Sequence, residues 1–362
     1  MGAGALSLSS GCVSTEGLSG GLEIGVIQPY SGIVGYWGEM STFGFLTGLA
    51  NRYGEGPIEV EVEDGASVTF EADDRTYRML LRDTELDASV AQTAATELVT
   101  DEGVDMIFGG ISSDAVTRVI ETVAKPTDTP YVVGGSSSIS IVGDPGLCGR
   151  KVFRANEHTG MEARAEGKYI AEETETETVH LIGPDNVFGR SFGRMYRGAL
   201  EENGVEVTGE RFVPPGFSEF RGILEDIDEQ AEALGITFTA DTLPNFLPTF
   251  VDGNVSGAID LRGYAAFPGR TAMNLIGNVL ESEFGDITED NIDDANIGAL
   301  ASRYHWNQYE NPINEEFVPA YTEAYGSAPD LFTSGAFAAG SAVAQAVEET
   351  GSQDPNDVAD AM

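Results

Sequence analysis

The fold of this chain is decided by one stretch near its beginning, Ile24-Gly-Val-Ile-Gln-Pro-Tyr-Ser-Gly-Ile-Val-Gly-Tyr-Trp-Gly-Glu-Met40. Its first four residues are apolar and suit a central parallel strand. The glycines that follow let the backbone approach a partner closely, and Tyr30 and Trp37 offer flat contact area. Because ligands of open α/β sheets bind in loops at the carboxyl ends of strands, the stretch predicts a strand, a ligand-binding loop and a helix. The alternative is that the aromatic side chains only fill a core.

The charge of the chain limits its partners. Its 362 residues include 60 acidic and 19 basic side chains, which gives a formal net charge of −41. Such a charge repels nucleic acids and anionic membrane surfaces. The acids are scattered, so we expect them to coat a folded surface. This composition is typical of a halophilic protein, since molar salt shortens the Debye length to about 3 Å and screens the self-repulsion.

The first residues of the chain are small and apolar and lead to a Gly-Cys step at Cys12. They resemble the end of a lipoprotein signal peptide, in which the cysteine is lipidated. We therefore expect residues 1–21 to be a signal remnant and linker, with a lipid anchor at Cys12 on the outer face of the cell membrane. The alternative is a frayed tail with an incidental thiol.

Strand-like apolar runs alternate with amphipathic stretches along the chain, which indicates βαβ units around parallel sheets. Strands are predicted at 22–28, 76–82, 104–109, 130–134, 178–183, 205–213, 235–239, 256–262 and 296–302. Helices are predicted at 39–52, 88–102, 113–124, 160–173, 190–203, 218–233, 243–252, 270–283, 314–325 and 334–349. An extra strand at 58–63 is expected to form a hairpin at the sheet edge. The alternation breaks near 148–160, where we place the crossing between two domains that enclose a cleft.

The sequence lacks the patterns of an enzyme or a metalloprotein. A Gly-x-Ser-x-Gly match at 17–21 lies in the expected linker and not on a strand-to-helix turn. The glycines at 32, 35 and 38 do not have the spacing of a dinucleotide-binding loop, and the histidines are not at metal-ligand spacing. The acidic run 288–294 lacks the glycine and final glutamate of a calcium loop and is expected to be a solvated loop. We expect no catalytic residue, no cofactor and no metal.

Two hydroxyl-bearing loops follow neighbouring predicted strands. The strand at 104–109 leads to Ser112 and Ser113 at the start of a helix, and the strand at 130–134 leads to Ser136 and Ser138. Hydroxyls and free backbone N–H groups at a helix N-terminus suit a carboxylate or carbonyl oxygen. One of Ser112 and Ser113 is expected to cap its helix instead.

The order and spacing of these motifs resemble the substrate-binding proteins of branched-chain amino-acid ABC transporters, the leucine/isoleucine/valine and amide-binding group of the type I periplasmic-binding fold. The resembling segments extend from Ile24 to Glu349. They are 31–40, 102–113, 152–154 with 160, 188–189 with 202–207, and 215–220.

The resemblance implies an α/β protein of two Rossmann-like parallel-sheet lobes joined by a hinge, with 22–153 and 305–362 in the first lobe and 154–304 in the second. It implies capture of a small polar solute in the cleft and delivery to ABC permease subunits, by a monomer that does no chemistry. Branched-chain amino acids, amides, urea-like compounds and carboxylates all remain open as solutes. The alternative function is a ligand-sensing receptor domain of the same fold that signals to a membrane partner.

The resemblance also implies which residues bind. In the family, the two hydroxyl loops of the first lobe hold the polar end of the ligand, and an aromatic residue matched by Trp37 covers the other end. A second-lobe tyrosine of the family is replaced here by Phe188, which keeps the stacking face and loses the hydroxyl. The candidate ligand-binding residues are Tyr30, Trp37, Ser112, Ser113, Ser136, Ser138, Phe188, Thr239 and Tyr264.

Two departures from the family pattern affect these expectations. Where amino-acid-specific members carry an aromatic residue and an acid for the ligand ammonium, this chain has Thr239 and Tyr264, with Asp241 the nearest carboxylate. A buried ammonium without a counter-charge is costly, so an amide, a urea-like compound or a carboxylic acid is as plausible as an α-amino acid. Family members also continue beyond the helix at 334–349, so the C-terminus looks truncated and we expect lower stability than for a longer chain.

Overall fold

The computed structural model describes residues 21–239, 242–266, 269–286, 288–300 and 303–362. Cys12 and Asp241 lie outside these residues. The described part of the chain contains a six-stranded sheet in the order β2-β3-β1-β4-β5-β6 and a five-stranded sheet in the order β11-β10-β9-β7-β8. Neighbouring strands are parallel except for the β2–β3 pair. The predicted fold class, with two parallel-sheet lobes, is confirmed.

The strands and helices occupy most of the predicted positions. The strands are β1 (Gly21–Gln28), β2 (Ser67–Ala72), β3 (Arg75–Asp83), β4 (Met106–Gly109), β5 (Tyr131–Val133), β6 (Val152–Arg154), β7 (Thr178–Pro184), β8 (Glu206–Val213), β9 (Ala233–Ile236), β10 (Arg262–Ala266) and β11 (Ile297–Leu300). The helices are α1 (Gly35–Arg52), α2 (Ala88–Glu97), α3 (Ser113–Val119), α4 (Lys125–Thr127), α5 (Ser140–Gly143), α6 (Thr159–Glu173), α7 (Val187–Glu202), α8 (Arg221–Asp228), α9 (Leu243–Val255), α10 (Arg270–Phe284), α11 (Glu289–Ala295), α12 (Pro312–Tyr325), α13 (Thr333–Thr350) and α14 (Pro355–Ala361). A 3-10 turn at Gly32–Val34 precedes α1, and π-helical turns at Leu98–Glu102 and Ile120–Ala124 extend α2 and α3.

The first lobe is built around β1. Its residues Leu22, Ile24 and Val26 are almost completely buried, as expected for a parallel strand covered on both faces. Helices α1 and α13 cover one face of this sheet, and Val343 of α13 belongs to the same apolar cluster as β1. The C-terminal part of the chain therefore returns to the first sheet.

The second lobe has its own core. The buried aromatic residues Phe220, Phe246 and Phe250 pack together there, with ring centres 5.2 Å apart between the first two and 5.4 Å apart between the last two. The chain passes from β6, the last strand of the first sheet, through α6 to β7 of the second. The sequence thus forms two separate cores with crossings between them.

Three predicted elements were wrong. Residues 58–63 are not a strand: the Ile58 carbonyl accepts from the Tyr325 hydroxyl at 3.0 Å, and β2 forms the antiparallel hairpin with β3 instead. The strand predicted at 256–262 begins only at Arg262, because α9 continues to Val255 and ends in a turn. The predicted acidic loop contains the short helix α11, because the Thr288 hydroxyl caps it by accepting from Asn291 N at 3.2 Å.

The acidic runs of the sequence lie at the surface. The side chains of two acidic runs are exposed, one before β2 and one that begins in the last turn of α6, namely Glu59, Glu61, Glu63, Glu172, Glu173, Glu175 and Glu177. This agrees with the expectation that carboxylates coat a folded surface. Like charges so arranged repel one another, and the repulsion is reduced by salt.

Candidate functional site

The two lobes contact each other at the carboxyl ends of their strands. On one side, the Ser191 hydroxyl of α7 accepts from Ile139 N at 3.2 Å, and the Asp114 carboxylate of α3 accepts from Val187 N at 3.3 Å. On the other side, Arg270 N at the start of α10 donates to Asp330 Oδ2 at 2.8 Å. The loops that follow the strands of both sheets therefore face one another across a closed interlobe cleft.

The two hydroxyl-bearing loops lie side by side in the first lobe because β4 pairs with β5. Gly134 N donates to the Gly109 carbonyl at 2.8 Å, and Ser136 N donates to the Gly110 carbonyl at 3.0 Å. Gly110 has a φ of 82°, and a Cβ there would lie 2.4 Å from the Val116 side chain. Only glycine fits this position without strain, so the tight path of the first loop depends on it.

The serine hydroxyls mostly bond to each other. Ser112 caps α3, since its hydroxyl accepts from Ala115 N at 3.3 Å. The Ser113 hydroxyl accepts from Ser136 Oγ at 2.9 Å and from Ser138 N at 3.3 Å, and all three of these residues are buried. Of the serine pair, Ser112 therefore has the capping role, and Ser113 joins the two loops.

Trp37 lies in the first turn of α1. The turn folds back tightly on the preceding loop, since a Cβ at Gly38 would lie 2.0 Å from the Pro29 carbonyl. The Trp37 ring centre is 5.6 Å from that of Phe332, in an edge-on arrangement, and its buried Nε1 donor has no hydrogen-bond partner among the described residues. A buried donor without a partner is costly, so a ligand acceptor placed here would be stabilised.

Tyr30 has a different environment from Trp37. Its hydroxyl shares a hydrogen bond of 2.9 Å with Thr42, and its ring packs against the core of the first lobe. Burial raises the pKa of this hydroxyl well above its usual value. These contacts are those of a core side chain, which is the alternative that the sequence left open for the loop aromatics.

A buried cluster of charges lies where the chain crosses between the lobes. Arg303, which follows β11, donates through Nε to Glu162 of α6 and through Nη2 to the Ser137 hydroxyl. The Arg303 and Glu162 side chains are 6% and 1% exposed, and the Arg303 guanidinium lies 5.4 Å from the centre of the Phe332 ring. Burial raises the pKa of Glu162 to about 7, although Arg303 acts to lower it.

Arg154 at the end of β6 belongs to the same cluster. Its Nη1 donates to the Ser138 carbonyl at 2.6 Å, while its buried Nη2 has no partner among the described residues. Burial lowers the pKa of Arg154 to about 10; the charge of Glu162 opposes this change, and that of Arg303 adds to it. The side chain remains cationic at neutral pH, so the cluster contains two positive charges and one acid.

Of the candidate residues of the second lobe, Phe188 and Thr239 follow the carboxyl ends of strands, and Tyr264 lies within a strand. Phe188 is half-buried in the first turn of α7, with its ring centre 6.1 Å from that of Phe192. The Thr239 carbonyl accepts from Thr242 N at 3.1 Å, at the start of α9. Tyr264 is 3% exposed in the lobe core, and its hydroxyl bonds to Thr176 at 2.7 Å, before the amino end of β7. This position turns the Tyr264 hydroxyl away from the carboxyl ends of the strands.

Sequence reasoning missed Arg154, Glu162, Arg303 and Phe332 as site residues. A usable signal was present for Arg154, because it follows a short apolar strand directly at the lobe crossing. Glu162 and Arg303 are 141 positions apart in the sequence, and nothing in the local pattern of either residue indicates their pairing. Phe332 precedes a long apolar helix and is indistinguishable there from a core residue.

Two features are absent from the part of the chain that the structure describes. Within the described ranges, no group of His, Cys, Asp and Glu side chains is arranged to hold a metal ion. Among the described helices, none combines the length and apolar composition needed to cross a lipid bilayer.

The sequence matches a known protein family. A family model described as periplasmic binding protein matches residues 21–362. No curated protein matches the chain.

Solved structures match over most of the chain. A solute-binding protein of an ABC transporter from R. palustris, in complex with 4-hydroxybenzoate, has 17% identity and a TM-score of 0.72, with 94% of this chain and 84% of that chain covered. A leucine-binding protein from Thermotoga maritima has 19% identity and a TM-score of 0.71, with 94% and 86% covered. An ABC transporter substrate-binding protein from Sphaerobacter thermophilus has 20% identity and a TM-score of 0.72, with 94% and 85% covered. At such low sequence identity, these structural similarities show that the proteins share a fold.

Proposed function

Because the chain belongs to the periplasmic binding protein family, we propose that it is the extracytoplasmic solute-binding component of an ABC importer. It captures a small polar solute between its lobes and passes it unaltered to permease subunits. The membership bears out the resemblance in the sequence and identifies a binding protein, not an enzyme. The similar structures are of ABC transporter solute-binding and substrate-binding proteins, which favours the importer over the sensory receptor.

One observation carries this proposal: aromatic and charged side chains from both lobes converge at the closed cleft. Arg303 contacts Glu162 on one side and Ser137 and Phe332 on the other. Trp37 extends the aromatic surface from Phe332. A solute between the lobes would contact groups of both, and would thus stabilise the closed state relative to an open one.

We assign contact with the solute to seven of the nine candidate ligand-binding residues. Trp37 covers the apolar end of the solute, and the loops of Ser112, Ser113, Ser136 and Ser138 bind its polar end, with Ser112 acting through the helix that it caps. Phe188 and Thr239 supply the second-lobe side. The hydroxyls of Tyr30 and Tyr264 bond to residues of their own lobes. We therefore propose that these two tyrosines stabilise the lobe cores and do not contact the solute.

Three finer features belong to the proposal as predictions. They are a lipid anchor at Cys12 on the outer face of the membrane, a monomeric state, and halophilic behaviour. The support for the first is the Gly-Cys step after small apolar residues, and for the last it is the net charge of −41. Mass spectrometry of the native protein tests the anchor, and light scattering tests the monomer.

Solute uptake is the experiment that tests the importer function. A thermal-shift screen in molar salt against amino acids, amides, urea and short carboxylates first identifies a solute that raises the melting temperature. Cells that lack the protein should then lose high-affinity uptake of that solute, and the restored gene should return it. Normal uptake in the deletion strain, or conversion of the solute by the purified protein, would contradict the proposal.

A further inference from the structure

The charge cluster at the cleft is not balanced. Arg303 and Glu162 are in direct contact and both almost fully buried, so the Glu162 carboxylate, where it is ionised, compensates the charge of Arg303. Arg154 is left with a neutral carbonyl on Nη1 and with no partner on its buried Nη2 among the described residues. A buried charge without a counter-charge is strongly unfavourable. The cluster therefore has at least one unit of positive charge available for an anion.

Apolar surface continues directly from this cluster. Ser138, whose carbonyl binds Arg154, follows Ser137, whose hydroxyl accepts from Arg303. The Arg303 guanidinium lies against Phe332, and Phe332 contacts Trp37. A solute that places an anionic group at Arg154 would thus have aromatic surface beside the rest of its body.

From this arrangement we propose that the solute is a monocarboxylate with an apolar body, whose carboxylate binds Arg154 and whose body contacts Trp37 and Phe332. This inference rests on the proposed function and specifies its substrate class. Arginine suits the role because its planar donors match carboxylate geometry.

The charge count distinguishes a carboxylate from an amino acid. A monocarboxylate brings one negative charge and makes the closed cluster neutral when Glu162 is ionised. A zwitterionic amino acid brings no net charge, so the positive charge stays uncompensated in the closed cleft. Glu162 still has one carboxylate oxygen without a hydrogen-bond partner among the described residues. This oxygen can accept a hydrogen bond from a hydroxyl group of the solute, so the solute needs no cationic group to satisfy it.

Calorimetric titration of the full chain in molar salt, with matched pairs of solutes, tests the inference. The pairs are benzoate with benzamide and isovalerate with isovaleramide, and L-leucine represents the zwitterions. We expect at least one acid to bind, with at least about tenfold higher affinity than its amide and than leucine. Arg154→Gln should remove this preference, and Arg154→Lys, which keeps the charge, should retain it at reduced affinity. The control is Arg164→Gln, at an exposed arginine of α6, which should behave as the unsubstituted protein.

The outcomes separate the substrate class from the proposed function. If an amide or leucine binds more tightly than every acid and the scattering radius contracts on binding, the substrate class is wrong and solute capture stands. If Arg154→Lys binds an acid and its amide equally, the role of Arg154 is wrong. If no acid binds while another solute of the screen does, the inference is also overturned. If no solute of any class binds, both the inference and the proposed function fall.

Discussion

The guanidinium group of Arg303 lies 5.4 Å from the centre of the Phe332 ring. Arg303 follows the last strand of the second sheet, whereas Phe332 precedes the helix that covers the first. The same guanidinium donates to Ser137 of the first lobe and to Glu162 of the second. One side chain thus joins the aromatic, hydroxyl and acidic groups of the closed cleft.

Replacing Trp37 tests the aromatic part of the site. We expect Trp37→Ala to weaken solute affinity by at least about tenfold, or about 1.4 kcal/mol, because the apolar contact area is lost. Calorimetric titration with the solute chosen by thermal shift measures this. Trp306 is the other tryptophan of the chain and is 43% exposed, so Trp306→Ala is the control and should bind normally. Equal affinities for the two variants would remove Trp37 from the site.

The pKa of Glu162 predicts a pH-dependent stability. Since burial raises this pKa from the usual 4.5 to about 7, the fold favours the protonated form. The contribution of Glu162 is therefore fully present below about pH 4.5 and is lost as the pH rises through about 7. Arg303 and Arg154 oppose this shift and Glu157 adds to it.

Glu162→Gln isolates this effect, because glutamine resembles the protonated acid and does not titrate. The free energy of unfolding of the unsubstituted protein, relative to the variant, should fall between these two pH values and be constant above them. Urea denaturation in molar salt at a series of pH values measures the unfolding free energy of both proteins. Subtracting one from the other cancels the titration of the groups that the two proteins share. A difference that is constant, or that grows with pH, would contradict the raised pKa.

The hydrogen bond between Arg270 and Asp330 joins the two lobes, so we expect its loss to make closure of the lobes less favourable. Both carboxylate oxygens of Asp330 accept, Oδ2 from Arg270 N across the lobes and Oδ1 from Leu331 N, each at 2.8 Å. Asp330→Asn would therefore oppose an N–H to one of these two donors. Loss of one hydrogen bond costs about 1 kcal/mol, so we expect roughly fivefold weaker solute binding, because the closed state becomes less populated. Asp290→Asn, at an exposed site on α11, is the control. Unchanged affinity of Asp330→Asn would mean that this contact does not contribute to closure.

The net charge predicts a requirement for salt. Dialysis from molar salt to ~10 mM extends the Debye length to about 30 Å, so carboxylates over much of the surface then repel one another. We expect the melting temperature to fall on dialysis, and the fall to shrink at acid pH, where the carboxylates are protonated. A melting temperature that is independent of salt at neutral pH would argue against the halophilic interpretation.

Periodicity was enough to predict most of the fold. The apolar run of β1 and the long amphipathic helices depend on local sequence, and they were placed within a few residues. The strand predicted at 58–63 was wrong because its apolar residue Ile58 is buried by packing, while its carbonyl bonds to Tyr325, a residue 267 positions away. No local pattern contains such a partner.

The site was less predictable than the fold. Loops after strands indicated the serines and Trp37, because their position depends only on strand order. The charge cluster depends on residues from β6, α6 and the segment after β11; the last is far from the other two in the sequence, and the tertiary fold brings them together. The capping role of Ser112 and the joining role of Ser113 belong to adjacent residues of the same type, so no local sequence pattern distinguishes them.

Small-angle scattering during a solute titration tests the central claim most directly. The account predicts that a solute identified by the thermal-shift screen reduces the radius of gyration, that the contraction saturates at one solute per chain, and that the solute is recovered chemically unchanged. A radius that stays constant while the solute binds, or a solute that is converted, would contradict the closing of two lobes around a captured molecule.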